Sequence, residues 1–97
     1  MPAFERLATF LRDFDELSPS QKAAFLRAVI LFVVDLRAGR GFRKSLRVKT
    51  MAGYDNVWEL TWARDGRATF EYGVPVKEGH PHIRWRRVGT NDSPRVG

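Results

Sequence analysis

Cationic residues spaced two apart, beside large apolar ones, are the first sign of chemistry in this 97-residue chain. Arg47 and Lys49 alternate with Leu46, Val48 and Thr50, Arg67 with Ala68, and Arg84 and Arg86 flank Trp85. A guanidinium presents a planar fork of donors that matches phosphate oxygens, and arginine far outnumbers lysine here. Glu59 and Glu71 fall in the same polar phase, where a carboxylate moderates the positive field or accepts a proton. The segment from Arg37 to Lys49 adds six bases and no acid. Arg40, Arg43, Lys44, Arg47, Lys49, Arg67, Arg84 and Arg86 are therefore the expected nucleic-acid-binding set.

Other chemistries find less support. His80-Pro81-His82 places two imidazoles in a loop with no third ligand at matching spacing, so no metal site is expected. With no cysteine, disulfides, thiolate ligands and a thiol nucleophile are excluded together. Gly39-Arg40-Gly41 reads as a helix stop rather than a phosphate loop, and no Ser/His/Asp arrangement has a recognisable context. No cofactor is expected.

The charge is unevenly distributed. Net charge is +6, with four bases against five acids in residues 1–36 and thirteen against six thereafter. The whole excess lies in the second part, which implies an anionic partner. The start of the chain lacks a basic segment followed by an apolar run, so no secretory signal is read. The longest apolar stretch, Ala28 to Val34, is far short of the roughly 20 residues of a membrane span. A soluble, cytoplasmic protein with no membrane partner is expected.

The elements that must position these side chains follow from periodicity. Phe4, Leu7, Ala8, Leu11 and Phe14 recur at three- and four-residue spacing, which predicts a first helix from about Pro2 to Glu16. Ser18-Pro19-Ser20-Gln21 reads as a capped restart, and Gly39 and Gly41 end a second helix at about Ala38. The all-apolar stretch 28–34 predicts that this helix is covered on more than one side. From residue 45 the period becomes two. Strands are expected around 46–50, 57–62, 67–72 and 82–86, with Asp65-Gly66 as a hairpin turn and Gly73–Pro81 as a longer connection. The fold class is α+β, two N-terminal helices packed on one face of a three- to four-stranded antiparallel sheet. Residues 1–92 form one domain and 93–97 a loose tail. Such a sheet turns its large apolar residues to the helices and groups its arginines on the opposite face.

The order of two helices, the basic strand Leu46-Arg47-Val48-Lys49, then Val57-Trp58-Glu59-Leu60-Thr61-Trp62 and Gly66-Arg67-Ala68-Thr69-Phe70-Glu71-Tyr72, closes on a strand ending Trp85-Arg86-Arg87-Val88-Gly89-Thr90-Asn91-Asp92. This order resembles the RelE/ParE superfamily of bacterial toxins, over roughly residues 20–92. The resemblance implies a toxin held inactive by a cognate antitoxin. RelE-like members cut messenger RNA on the ribosome without metal, whereas ParE-like members poison gyrase. For the nuclease branch it implies Arg67 as the group that stabilises the phosphate, with Lys49 and Arg84 completing the catalytic set. The chain departs from the pattern in four places, one being that no tyrosine follows in the tail. It opens on helical periodicity where the family has a strand, Thr61 stands where another catalytic arginine often lies, and Thr90-Asn91 follow Val88-Gly89 where nuclease members carry Arg or His. A basic binding module without enzymatic activity, with nucleic acid or an acidic protein as partner, and a ParE-like gyrase inhibitor are the alternative readings.

Overall fold

In the computed structural model, which describes residues 3–75 and 79–90, two helices lie on one face of a five-stranded sheet. The elements are β1 (Ala3–Arg6), α1 (Ala8–Glu16), α2 (Pro19–Ala38), a 3₁₀ turn (Lys44–Leu46), β2 (Lys49–Thr50), β3 (Trp58–Ala63), β4 (Gly66–Gly73) and β5 (His82–Thr90). Their order across the sheet is β1-β5-β4-β3-β2. All pairings are antiparallel except β1 with β5. The fold is α+β as expected, with a mixed sheet in place of an antiparallel one. Among the described residues no helix is long and apolar enough to cross a membrane. The expected tail at 93–97 lies outside the described residues.

Local chemistry sets the bounds of α2. The Ser18 hydroxyl accepts from the Gln21 backbone N–H, and the Gln21 side chain accepts in return from the Ser18 N–H. Pro19 occupies the first turn, where its missing N–H costs nothing, and Gly39 closes the helix in the left-handed conformation at φ 70°. Such a cap is worth about 1 kcal/mol.

The core lies between the helices and the sheet. Phe32, fully buried, stacks on Phe42 at 4.7 Å and meets Phe70 and Trp85 edge-on or tilted at 5.0 and 5.3 Å. Phe25 packs on Trp62 and Trp85, and Phe10 joins Phe25 and Trp85 from α1. Aromatic pairs of this geometry add about 0.5–1.5 kcal/mol each beyond the area they bury.

Four expectations need correction. Residues 3–6 form a strand, not part of a helix, and the expected start at Pro2 lies outside the described residues. Ala3, Phe4, Glu5 and Arg6 run parallel to His82–Trp85, and the Leu7 N–H donates to the Trp85 carbonyl at 3.0 Å. The strand that precedes the helices in the resembled family is therefore present. Next, the buried side of α1 is Phe10 with Asp13, while Phe4 and Leu11 are exposed, because the helix starts only at Ala8. Third, the strand at 46–50 shrinks to Lys49–Thr50. Leu46 is buried from within the 3₁₀ turn, and Arg47 takes a left-handed conformation at φ 48° that breaks the extended chain. Finally, α2 is covered by α1 and the sheet on its inner side alone, and Leu26, Ile30 and Val34 face solvent.

Candidate nucleic-acid interface

Strand alternation builds the open face of the sheet. Leu60, Ala68, Phe70, Ile83, Trp85 and Val88 turn inward and are buried, so their neighbours in sequence emerge on the other side. The pairing register arranges those neighbours in rows. Thr61 lies beside Arg67, Lys49 beside Glu59 and then Thr69, and Glu71 beside Arg84 and then Glu5. His82 starts the last row opposite Gly73, where a side chain would collide with the imidazole: a Cβ built there lies 2.7 Å from His82 Nδ1.

Of the five cations expected on one wall, Lys49, Arg67, Arg84 and Arg86 are found there, together with three carboxylates that neutralise much of it, while Arg47 lies outside the strands. Glu59 Oε1 stands 3.9 Å from Lys49 Nζ and 3.8 Å from Arg67 Nε. Glu71 binds both Arg84, at 3.2 Å, and Arg86. Glu5 lies 3.6 Å from Arg84 Nε and 3.3 Å from His82 Nε2, while His82 Nδ1 contacts the Val74 carbonyl at 3.0 Å. Four fixed cations thus face three acids, and the wall is a lattice of alternating charge rather than a basic plane. Partly exposed pairs of this kind contribute about 0–1 kcal/mol each.

The three residues expected to share catalysis fall into two groups. Lys49 and Arg67 converge on Glu59. Arg84 pairs in register with Glu71, four residues further along β4 than Arg67, which is about 13 Å at strand spacing. Arg67 also folds back over the hairpin, where its Nη1 donates to the Gly66 carbonyl at 2.9 Å and lies 3.4 Å from those of Ala63 and Arg64.

The segment after α2 is where uncompensated charge collects. Arg40, Lys44 and Arg47 are exposed and form no ion pair among the described residues. Arg43 behaves differently. Its guanidinium makes two 2.9 Å hydrogen bonds to the Asp35 carboxylate and its backbone N–H a third, which ties the segment to the end of α2. These hydrogen bonds hold the Asp35 carboxyl down at about 2.

Two features of the site escaped sequence reasoning. Glu5 reaches the open face only because β1 exists. Arg87 leaves it, donating to Asp13 of α1 at 2.7 and 3.2 Å, while the Val88 N–H donates to the same carboxylate at 3.2 Å. The cause is a bulge: Thr69 pairs with Arg87 but Phe70 with Trp85, leaving Arg86 as the extra residue. The doubled base in Trp85-Arg86-Arg87-Val88 is the signal, since it stretches the apolar spacing from two to three. Among the described residues no group of three His, Cys, Asp or Glu is placed to hold a metal ion.

No protein-family model and no curated protein matches the sequence. Solved structures do. A chain of the E. coli DinJ–YafQ toxin–antitoxin complex superposes with a TM-score of 0.63 at 12% identity, covering 94% of this chain and 93% of its own. The YoeB/ParE toxin from Agrobacterium tumefaciens gives 0.65 at 7% identity, over 91% and 97%. A chain of the RelB–RelE antitoxin–toxin complex from Methanococcus jannaschii gives 0.56 at 16%, over 91% of each chain. At these identities the likeness is one of architecture, and it spans nearly the whole domain: the chain has the fold of the RelE, YafQ and YoeB/ParE-type toxins.

Proposed function

We propose that this chain is the toxin of a toxin–antitoxin pair and acts on messenger RNA at the ribosome, held inactive by a cognate antitoxin. Its fold supports the class. The observation that carries the RNA reading is the run of exposed bases Arg40, Lys44 and Arg47, which leads along the chain into the carboxylate–cation cluster Lys49–Glu59–Arg67. The first group holds phosphates without regard to sequence. The second contains what cleavage without metal requires. Glu59 takes the proton from a ribose 2′-hydroxyl as its oxygen attacks phosphorus. Arg67, released from the hairpin carbonyls, stabilises the charge on the non-bridging oxygens. Lys49 gives a proton to the departing 5′-oxygen. The products are a 2′,3′-cyclic phosphate and a 5′-hydroxyl. Arg84 and Arg86, held by Glu71, lie outside this path.

A second reading, binding without cleavage, is favoured by the hold of the hairpin carbonyls on Arg67. End-labelled RNA incubated with the purified chain separates the two, alongside induction in a bacterial host. Glu59→Gln and Arg67→Ala are expected to abolish cyclic-phosphate product and growth arrest while RNA binding persists. Binding by the wild type without product selects the second reading. Growth arrest with transcripts intact and a DNA-damage response assigns a ParE-like action on gyrase instead.

A further inference from the structure

Among the described residues the outward face of α2 has no partner. Leu26, Ile30 and Val34, at four-residue spacing, are 52%, 63% and 53% exposed, and Ala23 continues the same stripe. From Leu26 to Val34 the stripe runs about 12 Å along the helix. Beside it opens a cleft of about 120 Å³ lined by Phe10, Phe14, Phe25, Leu26, Val29 and Trp85, with Arg6 in its wall. An apolar cavity of about 150 Å³ takes up benzene, so this cleft suits one apolar side chain. A continuous apolar surface next to an apolar notch marks an interface.

Charge decides what covers it. Lys22, Arg27 and Arg37 border the stripe and Arg6 the cleft, and none makes an ion pair among the described residues. Asp35, the acid nearest the stripe in α2, is committed to Arg43 on another side of the helix. A second copy of this chain fits badly. Two α2 helices crossed antiparallel about Ile30 bring Arg37 of each against Lys22 and Ala23 of the other, cation against cation. An RNA strand supplies anions but nothing to bury against leucine and isoleucine.

We propose that the outward face of α2, with the adjoining cleft, is the docking surface for an amphipathic helix of a partner protein, one that carries carboxylates beside its apolar stripe and seats one apolar residue in the cleft. The surface lies across the sheet from Glu59, so the inference stands independently of the RNA reading. The test uses the isotope-labelled full chain and a synthetic peptide of roughly 18 residues, long enough for five helical turns. Leucines occupy its i, i+4, i+7 positions and glutamates flank them, and a second version has lysine for every glutamate. The acidic peptide is expected to shift the amides of residues 22–37 and of the cleft, and to bind at least about tenfold more tightly than the basic one. Ile30→Lys and Leu26→Lys, at exposed positions, are expected to keep the melting temperature and RNA binding of the parent while losing the peptide. Equal affinity for both peptides, shifts elsewhere, or no binding overturns the proposal. So does a concentration-dependent dimer that Ile30→Lys dissolves, which would make the occupant a second copy.

Discussion

Counterion release turns the assignment of cations into a number that can be measured. Five bases are available to RNA phosphates on the proposed path: Arg40, Lys44, Arg47, Lys49 and Arg67. For single strands the logarithm of affinity falls with that of salt by about 0.7 per phosphate neutralised, so five contacts give a slope near −3.5. Between ~50 and ~200 mM salt the affinity for a short RNA then drops roughly a hundredfold. Replacing Arg40, Lys44 and Arg47 by alanine leaves two contacts, a slope near −1.4 and a loss of only about sevenfold over the same range. Arg43 supplies the internal control. Though it stands between Arg40 and Lys44 in sequence, its guanidinium is committed to Asp35. Arg43→Ala should therefore leave the slope of the parent unchanged. Fluorescence anisotropy of a labelled oligonucleotide at four or more salt concentrations reads all three slopes. An unchanged slope in the triple variant, or a fall for Arg43→Ala equal to that of its neighbours, refutes the reasoning.

The buried Asp13, bonded to the Arg87 guanidinium and the Val88 N–H, ties α1 to β5. Asp13→Ala removes the hydrogen-bonded carboxylate and leaves Arg87 only the more distant charge of Glu16, and urea unfolding should show a loss of about 1.5–3 kcal/mol. A loss under about 1 kcal/mol would mean that the helix and strand are held by packing alone. Asp35 predicts a pH effect. Its carboxyl is lowered from 3.8 to about 2, chiefly by the Arg43 side-chain hydrogen bonds. A depressed carboxyl stabilises the fold above its ordinary value, and that stability is lost as pH falls through the interval between the two. Asp35→Asn should flatten the acid limb of the melting-temperature profile there, and an acid limb unchanged in Asp35→Asn would remove the pair from the account.

How legible each part was depended on how local its cause is. Ser18, Pro19, Gln21 and Gly39 each act within a few residues, and α2 has the bounds they predict. The strand Ala3–Arg6 could not be read that way. Its four residues fit the spacing of the helix that follows, and its hydrogen-bonding partner lies nearly eighty residues further on. Alternation foretold which face the arginines share, because side-chain direction in a strand follows from position alone. It did not reveal that Glu5, Glu59 and Glu71 divide them into pairs, which depends on cross-strand register. The bond from Arg43 to Asp35 depends likewise on how the chain turns after Gly39.

The place of β5 in the sheet has a temporal consequence. β5, the last of the described strands in sequence, is inserted between β1 and β4, and it brings Ile83, Trp85 and Val88 into the core. At ribosomal elongation rates of about 5–20 residues per second, the stretch from Gly73 to Thr90 takes about 1–3 seconds, so β4 is made that long before β5 is complete. During that interval the emerging polypeptide has its helices and a hairpin but cannot complete its interior. Arg84 and Arg86 are likewise missing from its polar wall. The interior is therefore completed only when β5 has been made.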